Sequence, residues 1–236
     1  MLDEKEVSFS VVVPAFNEDG SLESILQRTH SVLRSLGNPY ELIVVDDGST
    51  DRTAAIALSC GAKLVSNGEN LGKGSALRKG FHQASGQVIV TLDGDGENKP
   101  EEIPRLLDAI MSQNDRVDVV IGSRFAEKTG SRCVSGLHFV GNSIINVTMA
   151  LLLGMRLTDS QSGFRALKRD VLKDLTLKSE GYEIEAEMTA RMLKKGRVIK
   201  EVPITYTQRS TGVSKVVTFK DGFKILRTII QVFLTE

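Results

Sequence analysis

Two cysteines, Cys60 and Cys133, are all that 236 residues carry, and they stand far apart in no metal-type spacing. So sparse a set excludes a disulfide-stapled scaffold and implies a reducing compartment with buried free thiols. Charge of one sign is missing too: 30 Lys and Arg balance 30 Asp and Glu. No global field therefore draws the chain to nucleic acid. No run of 18 consecutive apolar residues occurs, which predicts no transmembrane helix. The opening residues Met1 to Glu6 are acidic and lack an apolar signal core, so a cytoplasmic location is expected. His30, His82 and His138 are isolated, and neither Ser/His/Asp nor Cys/His catalysis has local support. Two nucleotide signatures are absent as well. No Gly-x-Gly-x-x-Gly follows the first apolar run, which disfavours a Rossmann dehydrogenase. Only three residues separate Gly68 from Gly72, and Gly74 stands where a P-loop requires Ser or Thr. An ATPase is disfavoured on that ground.

What is present is an ordinary globular composition, 41% hydrophobic and 25% charged, at a length suited to one α/β domain over residues 1–236. Apolar, β-branched runs at 7–13, 41–45, 63–65, 88–92 and 117–121 read as strands, the first ended by Pro14. Helical spacing separates them. Leu22, Ile25, Leu26, Val32, Leu33 and Leu36 predict one helix, with Ser21 as N-cap and Gly37 as its stop. Further helices are predicted from Thr53 to Cys60, Lys73 to Ala84 and Glu101 to Gln113. Such alternation with short connections predicts a mostly parallel sheet covered on both faces.

In such sheets ligands collect beyond the carboxyl ends of the strands. Three polar clusters lie there: Pro14-Ala15-Phe16-Asn17-Glu18, Asp46-Asp47-Gly48-Ser49 and Asp93-Gly94-Asp95-Gly96-Glu97. The last places three carboxylates two residues apart, hard oxygen donors suited to Mg²⁺ or Mn²⁺ together with substrate phosphates. An acidic metal site beside separate basic groups suggests a nucleotide diphosphate bridged by a cation.

The second half differs. Phe139 to Met155 is apolar but too short and polar to span a bilayer, and predicts a buried or interfacial helix. A short strand at 165–168, two helices, and an edge strand from Arg197 to Tyr206 carrying Pro203 follow. The segment Val216 to Leu234 is amphipathic. Val216, Phe219, Phe223, Leu226, Ile230 and Phe233 form its apolar face, widened by Ile225 and Ile229. Lys215, Lys220, Lys224 and Arg227 supply cations for phospholipid headgroups, and docking against the protein's own core is the alternative.

Taken together, the strand-end clusters and Asn70-Leu71-Gly72-Lys73-Gly74 resemble glycosyltransferase family 2. Gly122-Ser123-Arg124-Phe125, Asp159-Ser160-Gln161-Ser162-Gly163-Phe164 and Arg209-Ser210-Thr211-Gly212-Val213-Ser214-Lys215 are similar to its dolichyl-phosphate mannose synthase branch. The resemblance implies a GT-A fold and inverting transfer of a hexose from a nucleotide-sugar donor to dolichyl or another polyprenyl phosphate at a membrane surface. Residues 7–125 would form the donor half and 126–236 the acceptor and membrane-facing half. By position, Pro14, Phe16, Glu18, Val45 and Asp47 would meet the base and ribose. Asp93, Asp95 and Glu97 would hold Mg²⁺ or Mn²⁺, with the Gly94 backbone near the donor. Arg124, Arg209 and Lys215 would meet phosphates, and Asp159 would stand beside the reacting sugar as base or orienting group. The family commonly has alanine and glutamine where this chain has Gly94 and Glu97. GDP-mannose, UDP-glucose and UDP-N-acetylglucosamine all stay open as donors. The rival expectations are a soluble or polysaccharide acceptor, and a non-catalytic nucleotide-sugar sensor.

Overall fold

Strand β1 (Phe9–Ala15) is buried at every position but one and lies in the interior of the sheet. The computed structural model describes residues 8–112, 116–126, 136–205 and 218–235. Strand β1 is followed by α1 (Leu22–Ser35), β2 (Tyr40–Asp46), α2 (Thr53–Ser59), β3 (Lys63–Ser66), α3 (Lys73–Gln83) and β4 (Val88–Thr91). After a 3₁₀ turn at Pro100–Glu102 come α4 (Ile103–Met111), β5 (Val119–Ser123), α5 (Gly136–Leu153), β6 (Arg165–Lys168) and α6 (Arg169–Lys173). The described chain closes with α7 (Ile184–Lys194), β7 (Ile199–Pro203) and α8 (Thr218–Thr235).

Among the described residues the strands form one sheet in the order β3-β2-β1-β4-β6-β5-β7. All neighbours run parallel except β6, which is antiparallel to both β4 and β5. This reversal matters for the site. Strands β1, β2, β4 and β5 share a direction, so their carboxyl ends share a rim, and β6 brings the loop preceding its amino end to that same rim.

Alternate residues of each strand serve opposite faces, as the period of two requires. Val11, Val13, Val44 and Val90 pack with Leu22, Ile25, Leu106 and Leu107 of α1 and α4. Val12, Ile43, Val45 and Ile89 pack with Ala76, Leu77, Ile184 and Met188 of α3 and α7. A third apolar cluster lies outside α7. There Ala186 and Ala190 meet Ile145 and Met149 of α5 and Ile225, Ile229 and Val232 of α8.

Several expectations are corrected. Pro14 does not end β1, which runs through Ala15. Val12 O accepts from Leu92 N on the β4 side, whereas Ala15 O accepts from Asp47 N on the β2 side. Pro14 therefore faces β4, whose pairing has already stopped at Thr91, and its missing N–H forfeits no ladder bond. Ser21 precedes α1 but makes no side-chain cap; its Oγ donates to Gly94 O at 2.8 Å. Strand β7 is indeed an edge. Helix α8 buries Ile225 and Ile229, expected only to widen its apolar face, together with Val232, and leaves Phe223, Ile230, Phe233 and Leu234 exposed. It docks on the core with one face and presents a second apolar face outward.

Candidate active site

The three strand-end loops are cross-tied before any ligand is considered. Asn17 stands at φ +52°, a left-handed conformation that Asn tolerates better than most residues. There its Oδ1 accepts from Thr50 N at 2.8 Å, while its own N–H donates to Ser49 Oγ at 2.9 Å. Glu18 N donates to Thr53 Oγ1 at 2.9 Å. Asp47, almost fully buried, spends its carboxylate on the following loop: Asn67 Nδ2 at 2.6 Å, Leu71 N at 3.0 Å and Gly72 N at 2.8 Å. Gly72, at φ +92°, then passes so close to the Glu180 carbonyl that a Cβ would lie 2.4 Å from its oxygen. That loop delivers Lys73 to the rim.

Lys73 is the organising cation. Its Nζ lies 2.7 Å from Asp93 Oδ1 and 2.7 Å from Glu185 Oε1. A cation in the first turn of a helix opposes the macrodipole, so its place at the start of α3 is explained by these acids rather than by the helix. Burial works against its charge, but the Asp93 and Glu185 carboxylates outweigh that and hold its pKa above the ordinary lysine value. Gly163 closes the cluster from the other side. A Cβ there would lie 2.6 Å from Asp93 Oδ2 and 2.8 Å from Lys73 Nζ.

Arg124, just past β5, forms a fork with Asp159: Nε to Oδ2 at 2.6 Å and Nη2 to Oδ1 at 2.8 Å, with the Arg124 backbone N–H on Oδ2 at 3.1 Å. Asp159 has no exposed side-chain surface. Beneath it, the fully buried Arg165 donates to Ser162 O, Ser160 O and Thr189 Oγ1, at 2.7, 2.7 and 2.9 Å. Burial lowers the Arg165 pKa from its ordinary value, opposed by Glu185, Asp159, Asp93 and Glu201 around it. The loop from Asp159 to Phe164 is thus pinned by buried charge on one side and backbone bonds on the other.

These groups surround one cavity of about 470 Å³, within the usual range for a small-molecule site. Nine predicted residues line it: Pro14, Phe16, Glu18, Asp47, Asp93, Gly94, Asp95, Glu97 and Arg124. Val45 does not; it is buried in the sheet against α3. Asp159 stands behind Arg124 rather than on the wall. Arg209 and Lys215 lie outside the described residues. Sequence reasoning missed Lys73 as a charge partner, and also Gln161, Tyr182 and Glu185, all of which line the cavity. Lys73 had a signal, its place in a glycine loop opening a helix. Glu185 had none, since an acid in a first helical turn is ordinary.

The donor set at the rim fits a hard divalent cation. Asp93 and Asp95 face the cavity, and Mg²⁺ ordinarily takes one or two protein carboxylates and completes its shell with phosphate and water. Among the described residues no three acids, histidines or cysteines come together closely enough to hold a metal ion, so Asp93, Asp95 and Glu97 do not form a preassembled three-carboxylate cage.

The sequence from residue 10 to 176 matches the family model described as Glycosyl transferase family 2. The chain belongs to that family. A polyprenol monophosphomannose synthase of Mycolicibacterium smegmatis is 33% identical over 217 residues, covering 87% of this chain and 79% of the relative. A dolichol-phosphate mannosyltransferase of Pyrococcus furiosus is 34% identical over 96% of this chain, which spans 64% of that longer relative. An uncharacterised protein of Methanocaldococcus jannaschii is 34% identical, covering 94% of this chain and 90% of its own length. In structure, glucosyl-3-phosphoglycerate synthase from Mycobacterium tuberculosis, in complex with Mn²⁺, UDP and its product, superposes with a TM-score of 0.72. That likeness, at 23% identity over 97% of this chain and 79% of the other, shows the fold: GT-A, as family 2 membership implies. No helix among the described residues is long and apolar enough to cross a membrane.

Proposed function

We propose that this family 2 glycosyltransferase moves a hexose from a nucleotide-sugar donor to a polyprenyl phosphate, with inversion, at the cytoplasmic face of a membrane. The observation that carries the reading is the reach of the cavity. Part of its wall is built from Pro14, Phe16, Glu18 and Asp47, where the donor's nucleoside would bind; another part comes from α5 and α8 at Gly141, Ile145, Gly222 and Ile225. The outer faces of the same two helices expose Ile144, Val147 and Leu151, and Phe223, Ile230, Phe233 and Leu234. Lys220, Lys224 and Arg227 are exposed beside them. Apolar side chains rimmed by cations are the pattern of a helix lying in a lipid interface. The names of the polyprenyl-phosphate relatives support the same acceptor.

The chemistry follows from the acceptor. A phosphate monoester, with a second pKa of about 6, is largely dianionic at neutral pH. One of its oxygens attacks the anomeric carbon as the bond to the donor's diphosphate breaks, so an α-linked donor gives a β-linked product and no proton need be removed. Arg124, aimed by Asp159, meets a phosphate and stabilises charge where it develops. Asp159 has both oxygens engaged by Arg124, so its role is to orient that cation. Lys73, itself anchored by Glu185, holds Asp93 at the cavity wall. Asp93 and Asp95, with Glu97 adjacent, would hold Mg²⁺ or Mn²⁺, which when bound neutralises the departing diphosphate.

The test is a panel of labelled GDP-mannose, UDP-glucose and UDP-N-acetylglucosamine with polyprenyl phosphate, with and without divalent metal. Label entering the organic phase supports the reading. Donor consumption that yields only water-soluble product removes the lipid acceptor.

A further inference from the structure

Helix α5 presents apolar side chains outward, and its inner face carries two buried asparagines that reach the loop behind Arg124. Asn146 Nδ2 donates to Thr158 O at 2.8 Å, and Asn146 Oδ1 accepts from Ser160 N at 3.1 Å. Those two residues flank Asp159. One carboxamide therefore holds the peptide groups on both sides of Asp159, much as a neighbouring strand would. Asn142 Nδ2 adds a second donor to the same Thr158 carbonyl at 3.2 Å. From the opposite side the Glu201 carboxylate accepts from Thr158 N and Asp159 N, each at 2.8 Å for the nearer oxygen. Asp159 then grips Arg124 through three donors.

We infer that Asn146 is a positioning residue for Arg124. By clamping Thr158 and Ser160 it fixes the direction of the Asp159 carboxylate, and through it the guanidinium at the cavity wall. A buried asparagine serving only local packing would satisfy its own two polar ends wherever partners lay. Spanning the two neighbours of a fully buried acid that forks a cavity arginine is a narrower arrangement, and it ties α5 to the site. The inference deepens the function proposed above and rests on it for Arg124's phosphate role; the clamp itself is independent of which acceptor is used.

The test reads Arg124 directly in the free protein. Its Nε–H resonance, assigned by its loss in R124K, reports the fork to Asp159. In N146A the exchange of that proton with water should quicken by about tenfold, the combined worth of the two neutral hydrogen bonds removed. N146D supplies a reversible version should N146A fold poorly. Ionised, it sets a carboxylate oxygen against Thr158 O and the resonance should weaken. Protonated on acidification, the acid donates to Thr158 O while its carbonyl accepts from Ser160 N, and the resonance should return. Asp159, Glu201, Arg124 and Arg165 are the charged groups around the clamp, so the wild type is titrated in parallel and should show no such recovery.

In transfer assays N146A should lower kcat about tenfold with the donor KM little changed, and add less than about twofold in an R124A background. An Arg124 resonance untouched in both N146A and N146D overturns the inference. Additive losses in the double variant overturn it too. Because the spectroscopic signal needs no acceptor, a wild type inactive on polyprenyl phosphate would sink the proposed function while a responsive resonance still upheld the clamp.

Discussion

Replacing Lys73 by methionine removes one ammonium and strands two carboxylates. Glu185 has 4% of its side chain exposed and Asp93 22%, so water can rescue the second in part and the first hardly at all. Breaking a buried ion pair by deleting one partner typically costs about 3–5 kcal/mol. Arg165 stays close to Glu185 and moderates its isolation, which places K73M toward the lower end. For a domain of this size that corresponds to a melting point lower by about 6–12 °C. The pH dependence is the sharper signature. In the wild type the Lys73 pKa is raised, so its contribution is complete below the unfolded value of about 10.4 and is lost only as pH rises through the folded one. Between pH 5 and 9 it is flat. The deficit of K73M against wild type should therefore hold across that range. Urea unfolding followed by circular dichroism at pH 5, 7 and 9 measures this. A deficit under about 1 kcal/mol, the scale of an exposed pair, or one that disappears by pH 9, would refute the placement of these three charges.

Other consequences are as direct. G163A pushes a methyl group against Asp93 Oδ2 and Lys73 Nζ, an overpacking of about 1–3 kcal/mol. It should lower kcat/KM by roughly one to two orders of magnitude with the far-ultraviolet spectrum unchanged; normal kinetics would contradict the close approach. L151D combined with F223D removes two exposed apolar groups, each worth about 1.5–3 kcal/mol if buried in lipid. Sedimentation with anionic vesicles should fall about tenfold or more, and unchanged binding would take α5 and α8 off the membrane.

Much of the fold was legible because strand and helix differ in apolar period, and β-branched runs ending in Asp and Gly mark both a buried strand and its exit. Nine predicted residues line one cavity for that reason: four strands of one direction must end on one rim. What the linear pattern hid is convergence across distance. Lys73, Asp93 and Glu185 are ordinary residues in their own neighbourhoods, and only the insertion of antiparallel β6 between β4 and β5 sets Gly163 against them. A four-residue strand carries no mark of its direction. The two departures from the family pattern separate once space is considered. A Cβ on Gly94 would meet its nearest atom, Pro14 O, at 3.4 Å, so alanine would fit and that difference is sterically mild. Glu97 lines the cavity and changes its charge.

The claim at the centre is that the Asp93–Asp95 rim serves transfer to a lipid phosphate. The most direct measurement compares wild type with D95A, using labelled donor, polyprenyl phosphate and Mg²⁺ or Mn²⁺, and follows label into the organic phase. Wild type should yield lipid-linked label, and D95A should lose at least about a hundredfold, the scale of removing one electrostatic stabiliser, with an unchanged circular dichroism spectrum. Undiminished transfer by D95A, or label confined to water-soluble product, would contradict it.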